Sequence, residues 1–201
     1  MVKADCGGCE GCSRCCHGMG NSIILDPYDV YRMTTGMGKS MQELLATSVE
    51  FNVVDGVILP NLKMQGTEEA CAYLDEEGRC SIHPYRPGIC RLFPLGRYYE
   101  NGGFSYFLQT GECAKENRSK IKVSKWIDTP DLTRNQQFTL QWHDLLHAME
   151  ERLTGEDEGK QREENLLLLR LFYLLPYEGT IDFYTQFTER MEHWNGQNGQ
   201  I

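Results

Sequence analysis

The chain has 201 residues, a formal net charge of −9, 40% hydrophobic and 24% charged residues, and nine cysteines. That length supports a real core, and the mix is ordinary for a globular protein. The acidic balance excludes a phosphate-neutralising nucleic-acid surface, which needs clustered Lys and Arg. The longest apolar run, Leu166 to Leu175, is broken by Arg170 and ended by Pro176. It is too short for a bilayer that needs about 20 apolar residues, so no membrane span is expected. Met1-Val2-Lys3-Ala4-Asp5 leads into cysteines without an apolar leader segment. The expected setting is therefore cytoplasmic, where structural disulfides are rare.

In chain order, the stretch from Cys6 to Asn21 is rich in glycine and cysteine and has too few apolar residues to build a core. It must be organised by what it binds. Ile23-Ile24-Leu25 reads as a short buried strand. Asp26-Pro27 is a helix start, an N-cap followed by proline at the first helical position, with the helix running to about Thr35. Ser40-Met-Gln-Glu43 is a capping box opening a second helix to about Ser48. Asp55-Gly56 sits between two apolar runs and predicts a hairpin. Asp75-Glu-Glu-Gly78 and Asn101-Gly-Gly103 predict a second and a third. Beyond Cys113 the pattern becomes helical, with segments expected over 131–153, 160–175 and 181–194, separated by the acidic break 155–159. The fold class is α+β: a small metal-organised head with short hairpins and two helices (1–118), followed by a helical C-terminal region packed on it (119–201).

The chemistry lies in the cysteines. One block is Cys9-x-x-Cys12-x-x-Cys15-Cys16, with Cys6 extending it backwards at the same spacing; the other is Cys71, Cys80, Cys90 and Cys113. Thiols crowded this closely repel, oxidise and cross-link unless something uses them. Cys-x-x-Cys is a loop short enough for two sulfurs to reach one ion, in zinc and in iron–sulfur sites alike. Adjacent Cys15 and Cys16 cannot easily aim both sulfurs at one ion, so one is expected to ligate and the other to serve a second site or stay free.

His17 and His83 stand beside Cys16 and near Cys80, but with eight thiols available an imidazole ligand is not expected. His143 and His147, one helical turn apart, read as a solvated or core-edge pair. Arg86 and Arg91 flank Cys90 and could compensate an anionic thiolate cluster or bind an anionic group. The bland alternative is a salt bridge to nearby acids such as Glu76, Glu77 and Glu112. No nucleophilic triad, phosphate-cradling loop or dinucleotide fingerprint is present.

The order Cys9-x-x-Cys12-x-x-Cys15-Cys16, Cys71-x-Tyr-Leu74, Cys80-Ser-Ile-His-Pro-x-Arg86-Pro87-x-x-Cys90-Arg91 and Cys113 resembles the CxxCxxCC family of YkgJ-type cysteine-cluster proteins, a zinc- or iron-chelating domain. The match runs over about residues 9 to 113, and Cys6 lies outside it. The resemblance implies metal ligation by Cys9, Cys12, Cys15, Cys16, Cys71, Cys80, Cys90 and Cys113. It also favours charge compensation as the role of Arg86 and Arg91. Some relatives look like flagellin lysine methylases carrying a [4Fe-4S] cluster, so the first expectation is an iron–sulfur cluster, with zinc as the alternative. The expected role is in redox chemistry or as part of a modifying enzyme, with a protein or redox partner and no nucleic acid. A zinc-held interaction module and a methylase-like enzyme are the other two readings.

Overall fold

The computed structural model describes residues 1–5, 7, 12–115 and 117–198. Its secondary structure is about 46% helix and 20% strand, with short antiparallel hairpins and a helical C-terminal region, which is an α+β fold. In chain order the elements are β1 (Val2–Asp5), α1 (Pro27–Met37), α2 (Met41–Thr47), β2 (Val49–Val54), β3 (Val57–Leu62), β4 (Met64–Gln65) and β5 (Ala70–Cys71). Then come α3 (Gly88–Leu92), β6 (Leu95–Glu100), β7 (Gly103–Leu108), β8 (Ser119–Ile121) and α4 (Val123–Ile127). Three long helices follow, α5 (Leu132–Leu153), α6 (Glu158–Leu169) and α7 (Phe183–Asn198). A π-helical stretch, Arg170–Leu174, continues α6. Among the described residues the sheets are two-stranded and antiparallel: β1 with β8, β2 with β3, β4 with β5, β6 with β7.

The residues fall into two compact units, each built from two chain segments. One comprises Met1–Ile23 and Lys63–Leu140, the other Ile24–Leu62 and Gln141–Ile201, so the division falls inside α5.

The described cysteines belong to the first unit. It contains a small apolar cluster of Leu92, Leu95 and Ile127, flanked by Val2, Tyr106, Leu108, Val123 and Trp126. The Trp126 indole N–H donates to the carbonyls of Leu92 and Phe93, at 3.2 Å each, tying α4 to the end of α3. β6 and β7 turn through Asn101-Gly102, both at positive φ, as a type I′ hairpin demands. By contrast, the expected hairpin around Asp75–Gly78 is reduced to one bridge, Leu74 with Cys80. The strand that carries Cys71 pairs with Met64–Gln65 instead.

The second unit is helical around one hairpin. α1 opens with the expected Asp26 cap in a full capping box, Asp29 returning its carboxylate to the Asp26 amide. It runs through Gly36 to Met37, because Gly38 is the residue that takes the left-handed C-cap. α2 opens on the Ser40/Glu43 box. β2 and β3 turn at Asp55-Gly56, both at positive φ. Asn165 of α6 fastens that turn, accepting from the Ile58 amide at 2.6 Å and donating to the Gly56 carbonyl at 3.2 Å. The expected strand at Ile23–Leu25 is only an isolated bridge, Ile24 with Asn61.

Aromatic rings fill the core of this second unit. Trp142 packs edge-on against Phe172 (5.1 Å between centroids) and Tyr173 (6.0 Å), and Phe172 lies tilted against Phe187 (5.8 Å). The Tyr173 hydroxyl, fully buried, donates to the Leu25 carbonyl at 3.0 Å. Where the π-helical stretch ends, Arg190 donates to the carbonyls of Leu171, Leu175 and Pro176 at 2.7, 3.0 and 2.8 Å and stacks 3.6 Å from the Tyr177 ring centre. The expected single helix over 160–175 therefore divides, its last turn widened and its carbonyls capped by a buried cation. Among the described residues no helix is long and apolar enough to cross a membrane.

Candidate metal centre

Short pairings and turns gather the cysteine segments. His17 bridges Ala70 in antiparallel fashion, and the Gly18 amide donates to the Glu69 carbonyl at 3.0 Å. In that register Cys16 stands opposite Cys71. Cys71 is itself the pairing partner of Met64. Three backbone segments are thus laid side by side with two cysteines abreast.

Cys71 and Cys80 begin matching turns. The Cys71 carbonyl accepts from the Leu74 amide at 2.8 Å, and the Cys80 carbonyl from the His83 amide at 3.1 Å. In each turn the amide two residues on, Tyr73 or Ile82, donates to the cysteine sulfur. The Leu74–Cys80 bridge and the Ser81-to-Tyr73 hydrogen bond (2.8 Å) clasp the turns together. An N–H aimed at sulfur favours the thiolate, the form that binds metal.

Five sulfurs share one electrostatic field. The Cys16 thiol donates to Cys15, which pulls the Cys15 pKa down to about 6, against burial and with help from Arg86. Cys16 is pushed up in turn, first by giving that hydrogen bond, then by burial and by the charges of Cys15, Cys71 and Cys90. Burial raises Cys71, opposed by the Tyr73 amide and reinforced by Cys80 and Cys15. Burial also raises Cys80; the Ile82 amide and Arg86 oppose it, and Cys15 and Asp75 add to it. Each thiolate raises the cost of the next, so a bound cation would lower the cost of ionising the group.

Cys12 and Cys113 meet the group at its margin, where they line one crevice with Cys15 between the apolar walls of Phe93 and Trp126. Arg14, Glu112 and Lys115 line the same crevice. Cys12, Cys15, Cys16, Cys71, Cys80 and Cys113 form no disulfide. Cys6 and Cys9 lie outside the described residues. Among the described residues, no group of three or more Cys, His, Asp or Glu side chains is drawn in to metal-ligand geometry. The donor set nonetheless fits a soft metal centre: all thiols, amides aimed at two sulfurs, a guanidinium charge nearby and partial burial.

The two arginines have different contacts. The charge of Arg86 reaches Cys15 and Cys80. Arg91 is 4% exposed, and its guanidinium lies 3.5 Å from the carbonyl of Asp128, the left-handed residue ending α4. The histidines have contacts of their own. His17 places Nδ1 3.3 Å from the Glu68 carbonyl oxygen, and His83 places Nε2 2.9 Å from Arg86. His143 and His147 lie in the second unit, rings 6.3 Å apart. Sequence reasoning missed the Tyr73 and Ile82 amides, since a backbone donor has no residue type to read, and considered His83 only as a ligand.

A model of the CxxCxxCC family, described as "Putative zinc- or iron-chelating domain", matches residues 8–124. The chain belongs to this family. The match covers more than half of the chain and takes in every cysteine from Cys9 to Cys113. No curated protein and no solved structure matches the chain. Zinc or iron chelation by the cysteine domain is thus the family-level activity.

Proposed function

We propose that this CxxCxxCC protein holds an iron–sulfur cluster of the [4Fe-4S] type on four of its cysteines and works in a redox step or as part of a modifying enzyme in the cytoplasm. The observation that carries it is the gathering of the Cys16, Cys71 and Cys80 segments by the His17–Ala70, Met64–Cys71 and Leu74–Cys80 pairings. The shared electrostatics of Cys15, Cys16, Cys71, Cys80 and Cys90 agree with it. Iron–sulfur centres are tuned by N–H···S bonds such as those at Cys71 and Cys80 and by partial burial. The cysteines would supply the ligands, and Arg86 would offset part of their charge. When bound, the cluster would supply one-electron chemistry, and a redox or protein partner is the implied counterpart. The resemblance to the lysine methylases supports a further reading, a protein lysine N-methylase-like enzyme.

One observation favours the second reading, structural zinc. Cys71 and Cys80 sit on twin hydrogen-bonded turns that could each offer one sulfur to a closed tetrahedral site. Purification without oxygen, followed by metal and acid-labile sulfide analysis, separates the two. Equal amounts of iron and sulfide, with a visible charge-transfer band, are expected. Zinc without sulfide would install the second reading in its place.

A further inference from the structure

His83 is an exposed residue three positions after Cys80, and its ring meets Arg86. Its segment, His83-Pro84-Tyr85-Arg86-Pro87, forms a single 3-10 turn over His83–Tyr85, closed by the Tyr85 amide on the Ile82 carbonyl at 2.7 Å. Residues three apart eclipse one another in such a turn, which puts His83 and Arg86 on one side. Pro87 holds Arg86 in an extended conformation (φ −53°, ψ 145°), so the turn stops there. The guanidinium Nη1 lies 2.9 Å from His83 Nε2. A guanidinium can only donate, so Nε2 must accept and the imidazole must be the neutral Nδ1–H tautomer. Partial loss of solvent around the ring and the charges of Arg86 and Arg79 also favour the neutral form.

The choice of a neutral acceptor matters. A carboxylate at this position would orient Arg86 equally well but would cancel its charge. Imidazole fixes the guanidinium and leaves the full positive charge for the sulfurs of Cys15 and Cys80. We propose that His83 is a positioning residue of the cysteine centre: through Nε2 it holds Arg86 so that an unneutralised charge faces the thiolates. This inference rests on the metal-binding reading of the cysteines.

The test compares His83→Gln, His83→Ala, His83→Glu, Arg86→Ala and the double variant His83→Ala with Arg86→Ala, each as the full chain carrying its metal. Metal affinity is measured by competition with a chelator, and folding is checked by circular dichroism. Arg86→Ala should weaken retention by about 10-fold or more, as loss of an outer-sphere partner does. His83→Ala and His83→Glu should weaken it in the same direction, and the double variant should be no weaker than Arg86→Ala alone, because both changes remove one effect. His83→Gln, which keeps a neutral acceptor, should restore retention. Nitrogen chemical shifts of the native chain should show His83 Nε2 unprotonated, with a change in Arg86→Ala.

Metal bound equally by the native chain and His83→Ala would overturn this inference and leave metal binding untouched. So would a protonated Nε2, a His83→Glu variant that retains metal as well as His83→Gln does, or additive losses in the double variant. A native chain that takes up no metal at all would overturn the metal-binding reading, and this inference with it.

Discussion

The two units are held together by different means. In the second, helices close on interlocking rings, with Phe172, Tyr173, Phe183 and Phe187 among its fully buried side chains. In the first, none of residues 12–22 is buried, and from 63 to 81 only Tyr73 is. These segments follow hydrogen-bonded turns and the needs of sulfur. Apolar burial is a generic adhesive that needs nothing from outside the chain. Thiolates gathered in one place repel one another until a cation arrives, and structural zinc can contribute about 10–16 kcal/mol to such a fold.

The comparison breaks most sharply if the cysteines are removed. Cys71→Ser or Cys80→Ser should abolish metal binding and expose amides over 63–85 to exchange, while those over 24–62 and 141–198 keep their protection. Elemental analysis with exchange mass spectrometry reads both at once. Protection lost equally across the chain would mean that the two units share one means of support.

The converse change acts on the rings. Phe172→Ala should cost about 3–5 kcal/mol in denaturant unfolding, the usual penalty for emptying an aromatic site in a core. Metal per folded chain should not change. A variant that loses metal in proportion to stability would show that the aromatic core supports the thiols as well.

Asn165→Ala should cost less, about 1–3 kcal/mol, by leaving the Ile58 amide without its acceptor. Exchange at the Asp55–Gly56 turn should rise, with no effect on metal content.

The smallest effect sits on α2. The Ser40 amide and hydroxyl both donate to the Glu43 carboxylate at 2.8 Å and hold its pKa below the ordinary carboxylate value, the amide first. The stabilisation is complete above the unfolded pKa and is lost as pH falls through the folded one. Glu43→Gln should therefore lower the melting temperature slightly near neutral pH and not in acid. An equal change at both would remove this carboxylate from the acid response.

How much of this was legible depended on the range of the interactions. Asp26-Pro27, Ser40 to Glu43, Asp55-Gly56 and Asn101-Gly102 were readable because a cap or a two-residue turn is decided by a few neighbouring backbone groups. The long helices showed in their periodicity, although no period marks where the last turn of α6 widens to suit Arg190. The sequence by itself determined the supply of thiols, their spacing within each block and the family to which the chain belongs. Only the tertiary structure decided which cysteines stand together. That rests on pairings of two or three residues, His17 with Ala70, Met64 with Cys71 and Leu74 with Cys80, too short to leave a periodic signal. It likewise decided that β1 finds β8 more than a hundred residues away and that Arg86 and Arg91, five positions apart, take different partners. Side chains read in order cannot show this, because such contacts are selected by the packing of everything around them.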